Sequence, residues 1–162
     1  MKFKTILTAF FLLIMGNSAK AQDSTTVPIV DFSHVEKLLE TKNNDTVYVV
    51  NFWATWCRPC INELPYITNL ETKYADKKIK VFIVSLDFKK NYSKMLEFLQ
   101  KRKITTAAVL LSAPNANAWI DKVSETWSGA IPATVIFNKT KREFYEKEFH
   151  EKELYTTIET FF

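Results

Sequence analysis

The sequence predicts an α/β sandwich around a mixed central sheet. Three observations point there. Four short apolar runs rich in β-branched and aromatic residues, 46–54, 79–86, 107–111 and 133–137, read as buried strands. The stretches between the first three carry apolar residues at helical spacing. The chain then closes on a turn, a further strand and a helix.

Residues 1–21 stand apart from this pattern. Lys2 and Lys4 make a basic start, residues 6–15 are mainly apolar, and Ala19-Lys20-Ala21 has the small-x-small form of a cleavage site. The apolar stretch is about half the roughly 20 residues needed to cross a bilayer, so an export signal cut near Ala21 is expected rather than a membrane anchor. The new N-terminus would be Gln22, not cysteine, which argues against a lipid anchor. Three lysines and no acidic residue leave with the signal, so the formal charge of +4 falls to +1. Neither nucleic acid nor an anionic surface is implied by that balance.

A polar leader is expected over 22–30 and one domain over 31–162, long enough to bury a core without staples. Ser33-His34-Val35-Glu36 predicts a capping box with Ser33 at the N-cap, followed by an apolar face of Val35, Leu38 and Leu39. Residues 43–45 predict a turn, and 46–54 a strand buried on both faces. Ile61, Leu64, Ile67, Leu70 and Tyr74 then recur at helical spacing. Pro65 inside that helix predicts a kink, because it has no N–H for the carbonyl of Ile61.

Residues 92–101 predict a helix through Met95, Leu96 and Leu99, and 115–127 another with Trp119, Ile120 and Val123 inward. A turn at 138–141 should return 142–147 as an antiparallel partner of 133–137, with a closing helix over 151–162. Gly129 is the one glycine after residue 21, so the turns rely on Asn, Asp and Lys.

Cys57-Arg58-Pro59-Cys60 holds both cysteines of the chain, at the end of a buried strand and the start of a helix. Unpaired N–H groups at the helix start and the Arg58 charge favour a thiolate at Cys57, which makes it the attacking sulfur. Cys60, one turn on and facing inward, is placed to resolve a mixed disulfide. Pro59 suits a first helical turn and stiffens the loop. A bridge over so short a span removes little unfolded-chain entropy, so stability is a poor reason for the pair.

The run Asn51-Phe52-Trp53-Ala54-Thr55-Trp56-Cys57-Arg58-Pro59-Cys60 resembles the active site of thioredoxin-fold oxidoreductases, most closely the exported TlpA/ResA-like branch. Glu63-Leu64-Pro65 is similar to that branch too, as is Trp127-Ser128-Gly129-Ala130-Ile131-Pro132-Ala133-Thr134 further on. The resemblance implies a thioredoxin-like three-layer sandwich with helices flanking the sheet. It implies a cis peptide bond before Pro132, lying against the dithiol, and backbone pairing of Ile131 with a substrate chain. Thioredoxins themselves carry a buried aspartate where this chain has Asn51. In the TlpA/ResA-like branch an asparagine is usual there, and a glutamate in the place of Glu63 lies near the sulfurs. Such a carboxyl, buried against apolar groups, should have a raised pKa and pass a proton to or from the buried thiol; the plain alternative is that Glu63 solvates a helix. The stretch before residue 46 departs from the branch, since it lacks a strand-rich N-terminal hairpin.

Other features have plainer readings. Trp53 and Trp119 are expected in the core, and Trp56 at the surface beside the reactive sulfur. Zinc held by the cysteines with His34 and His150 lacks a ligand spacing, so no metal is expected. Phe88, Lys89 and Lys90 read as a solvated loop. The N-x-S/T triplets at Asn44, Asn91 and Asn138 are too common by chance to carry meaning. The threonine and proline of a peroxidatic cysteine site are absent, with Ala54 and Val50 in their places.

The expected function is an exported, monomeric thiol–disulfide oxidoreductase of the periplasm or extracytoplasmic space. It would reduce client proteins, cytochrome c maturation among its possible settings, with Cys57, Cys60 and Glu63 catalytic and Trp56, Arg58, Pro59, Ile131 and Pro132 at the substrate. No cofactor is expected beyond the Cys57–Cys60 pair, no nucleic acid, and a membrane thiol carrier would donate electrons. A net oxidase or isomerase, and a binding domain with a static disulfide, are the alternatives.

Overall fold

A computed structural model describes residues 26–41 and 45–162. The expected signal over 1–21, the polar stretch up to residue 25, and Asn43 and Asn44 of the expected turn lie outside the described residues.

The sheet has six strands in the order β1-β4-β3-β2-β5-β6. They are β1 (Ile29–Val30), β2 (Val47–Trp53), β3 (Ile79–Ser85), β4 (Ala107–Leu111), β5 (Ala133–Phe137) and β6 (Arg142–Tyr145). The pairs β1/β4, β4/β3 and β3/β2 run parallel, while β5 is antiparallel to β2 and to β6. The sheet is therefore mixed, as expected. Every residue of β2 is buried, because helices cover the sheet on both faces.

Side-chain alternation sorts β2 between two cores. Val47, Val49 and Trp53 join a core with α2 (Arg58–Thr68), α3 (Leu70–Lys73), α4 (Tyr92–Lys101) and α6 (Glu151–Glu159). Tyr48, Val50 and Phe52 join the other, with α1 (Phe32–Leu39) and α5 (Ile120–Val123). Asn51 shares the parity of Val49 and Trp53, so a polar side chain is delivered to the α2/α6 face. That parity builds the site.

Four local expectations are corrected. The N-cap of α1 is Asp31, not Ser33: its carboxylate accepts from the N–H of His34 at 3.3 Å and from the Ser33 hydroxyl at 2.7 Å. A carboxylate is the stronger acceptor, and Glu36 pairs with Lys122 at 2.9 Å rather than closing a box. The sheet also starts earlier than residue 31. Val27 is buried, Tyr92 Oη bonds both its N–H and its carbonyl, and Ile29–Val30 pair with Leu110–Leu111.

The single helix expected over 115–127 is a 3-10 turn at Ala116–Ala118 followed by the four-residue α5. Trp119 leaves helical geometry (φ −138°) because its indole is held between the Phe32 and Phe52 rings, 5.4 and 6.5 Å away, and its Nε1 donates to the Ala113 carbonyl. Finally, the single helix expected from Ile61 to Tyr74 is two: α2 ends at Thr68 and α3 begins after Asn69.

Candidate active site

Cys57 ends the loop after β2 and is the N-cap of α2. Its backbone is extended (φ −89°, ψ 103°), and its sulfur accepts from the Cys60 N–H at 3.3 Å. That is the place of a capping oxygen, so the sulfur faces the helix N-terminus. Pro59 is at the second helical position, where a missing N–H leaves no bond unmade. Cys57 and Cys60 form a disulfide. Cys57 is 5% exposed and Cys60 fully buried, which orders them: a partner reaches Cys57 first.

The second wall comes from far along the chain. The Ile131–Pro132 peptide is cis, and the Ile131 carbonyl oxygen lies 3.5 Å from Cys57 Sγ. A thiol at that distance would donate; in the disulfide the pair is a contact. The loop leading to it is pinned. Trp127 Nε1 donates to the Ala130 carbonyl at 2.7 Å, and the Glu146 carboxylate accepts from the N–H groups of Ser128 (3.1 Å) and Ala130 (3.0 Å) as well as the Ser128 hydroxyl. Gly129 turns the loop with φ +92°, a backbone that side chains rarely adopt.

On the face of α2 that buries Cys60 lies a buried polar cluster. Glu63, one turn after Cys60 on α2, is fully buried. Its oxygens accept from Asn51 Nδ2 and from the Phe149 N–H, both at 2.7 Å, and Asn51 Nδ2 also donates to Thr134 Oγ1 at 3.0 Å. Burial pushes the Glu63 carboxyl up from an ordinary 4.5 to about 7. The two donors pull it back part of the way, and the Glu148 carboxylate pushes it further up. Such a group exchanges a proton near neutrality.

Trp56 and Arg58 are exposed on the rim beside Cys57. The structure thus brings Cys57, Ile131 and Pro132 together, and places Glu63 on the face of α2 that buries Cys60. Sequence reasoning missed Asp87, buried and accepting from the Thr55 N–H (3.0 Å), Thr55 Oγ1 (2.6 Å) and Ser85 Oγ (2.8 Å). It holds the turn before Cys57 against the end of β3. It also missed Thr134, Phe149 and Glu146. Thr134 is cross-strand from Asn51, a signal readable once β2 and β5 are paired; the others had none. Among the described residues, no group of three or more His, Cys, Asp or Glu side chains is placed to hold a metal ion.

A family model described as Redoxin matches residues 20–154. The thiol-disulfide oxidoreductase ResA of Oceanobacillus iheyensis is 49% identical over 39 residues, 24% of this chain and 20% of that protein. The thioredoxin-like protein YneN of Bacillus subtilis is 29% identical over 105 residues, 61% of each chain. The chain's matches thus span between about a fifth and three fifths of the length of these curated relatives. A thioredoxin-related protein from Neisseria meningitidis serogroup B superposes with a TM-score of 0.60 over 73% of this chain and 86% of that one, at 23% identity, so the fold is thioredoxin-like.

Proposed function

Because the chain belongs to the Redoxin family and seats one disulfide at a helix start, we propose that it is an exported thiol–disulfide oxidoreductase that reduces disulfides of client proteins. The observation that carries this is the asymmetry of the pair: Cys57 at the helix start beneath the Ile131 carbonyl, Cys60 buried with Glu63 one turn on.

In the reduced protein Cys57 attacks one client sulfur, the client disulfide breaks, and the departing client thiolate takes up a proton. A Cys57–client disulfide remains. Cys60 loses its proton to the Glu63 carboxylate and attacks Cys57 Sγ, releasing the second client thiolate and closing the disulfide. Two electrons have moved to the client. Two more must come from outside for the next cycle, and a membrane thiol carrier is the proposed donor. Trp56, Arg58, Pro59, Ile131 and Pro132 line the client's path, with Ile131 offering backbone to an extended segment.

This reading takes residues 1–21 as an export signal cut near Ala21 and the remainder as a monomeric thioredoxin-like domain with a short leader. Among the described residues, no helix is long and apolar enough to cross a membrane. The Cys60→Ser variant should accumulate a Cys57-linked mixed disulfide with a client, and Cys57→Ser should trap nothing and lose reductase activity. Retained activity in Cys57→Ser refutes the proposal.

One feature favours a second reading: Arg58, exposed beside Cys57, stabilises a thiolate and so raises the potential toward that of an oxidant. A redox titration separates the two, with a value near about −270 mV supporting a reductase and one near about −120 mV an oxidant.

A further inference from the structure

Asp87 ties together two segments that end in exposed aromatic residues. β2 and β3 pair in parallel up to Trp53 and Ser85, Leu86 N–H donates to the Trp53 carbonyl at 2.8 Å, and Asp87 then bonds both the N–H and the hydroxyl of Thr55. The next residue on one segment is Trp56, 60% exposed; on the other it is Phe88, 64% exposed. Among the described residues these are two of the four large apolar side chains left in water, and the clamp holds together the two segments that carry them, with Trp56 directly before Cys57.

The same rim is basic. Arg58, Lys89 and Lys90 are exposed, and among the described residues none of the three is in an ion pair. Lys90 Nζ stands 5.6 Å from the centre of the Phe88 ring. Asp87, next to Phe88 in the chain, is buried with its oxygens turned to Thr55 and Ser85, and its one negative charge against three exposed cations leaves the rim net positive. Aromatic rings and arginine are the groups that most often anchor a partner, and surrounding charges decide which partner arrives.

We infer that Trp56 and Phe88, with Arg58, Lys89 and Lys90, form a docking rim that selects client segments carrying an aromatic or apolar residue followed by acidic residues beside the cysteine. The inference rests on the oxidoreductase reading and adds the chemistry of the client. Charge complementarity names the occupant: an acidic polypeptide segment reaching Cys57 crosses this rim.

The test uses the fully reduced protein and two disulfide-bonded peptides, identical except that an aromatic residue near the cysteine is followed by two aspartates in one and two lysines in the other. Second-order rate constants are measured by stopped flow. The acidic peptide should react about tenfold faster at low ionic strength, and the gap should close to about twofold in about 0.5 M salt. The double variant Lys89→Glu/Lys90→Glu should invert the preference, and Phe88→Ser should slow the acidic peptide. Equal rates for the two peptides overturn the inference and leave the oxidoreductase reading standing, as does a preference that persists after charge reversal. Binding to vesicles of mixed phosphatidylcholine and phosphatidylglycerol without any peptide preference overturns it in favour of a membrane surface. Failure to reduce either peptide overturns the oxidoreductase reading, and the inference with it.

Discussion

Replacing Glu63 by glutamine should remove most of the pH dependence of stability between about pH 4.5 and about pH 7. Glu63 has no exposed surface, and burial raises its carboxyl to about 7 from an ordinary 4.5. Between those values the folded chain holds a proton that the unfolded chain has released. The contribution of Glu63 to stability is therefore greatest below pH 4.5, falls as pH rises through the window, and levels off above about 7. The separation corresponds to about 3 kcal/mol, a large share of the total stability of a domain. Glutamine does not titrate, yet its carbonyl still accepts from the Phe149 N–H. Urea unfolding of the oxidised protein, wild type and Glu63→Gln, over a pH series gives both curves. The wild type should lose about 3 kcal/mol relative to the variant as pH rises. Two curves that stay parallel would show that the carboxyl is not perturbed, and the proton-transfer role would lose its physical basis.

Three further outcomes follow from the same geometry. Asp87→Asn keeps one acceptor where three donors converge, so the protein should lose about 1–3 kcal/mol in urea unfolding, with Thr55 amide exchange accelerated. Arg142 donates to the carbonyls of Leu39 and Val123, each at 3.1 Å, where α1 and α5 end. Arg142→Ala should cost about 1–2 kcal/mol of unfolding free energy and Arg142→Lys less, since one ammonium spans two carbonyls poorly. Gly129→Ala puts a methyl 3.1 Å from Ile120 Cδ1 on a backbone with φ +92°. It should lower stability by more than about 1 kcal/mol and, because that loop carries Ile131, slow mixed-disulfide formation.

Periodicity made the sheet and most helices legible before any coordinates. The runs at 107–111 and 133–137 are strands over those very residues, and Tyr92–Lys101 is the helix its apolar spacing predicts. The errors arose where specific partners overrode the local pattern. Ser33 looked like a cap, but the Asp31 carboxylate caps the helix from two residues earlier and takes the Ser33 hydroxyl as a donor. Residues 115–127 had helical spacing, but stacking of Trp119 on Phe32 and Phe52 prevailed over local propensity. Ile29 and Val30 were too short a strand to detect without β4 beside them. At the site, the C-x-x-C and its proline were visible as letters. Asp87 and Glu146 were not, because a clamp has meaning only once its loops are neighbours.

The separation of 74 positions from Cys57 to Ile131 has a consequence for when chemistry begins. Before β5 joins β2, the cysteines are two ordinary thiols on a flexible chain, with no wall opposite and no buried acid behind. Under the proposed function, selective exchange begins only with tertiary assembly, and the rate at which Cys57 traps a client then doubles as a clock for folding.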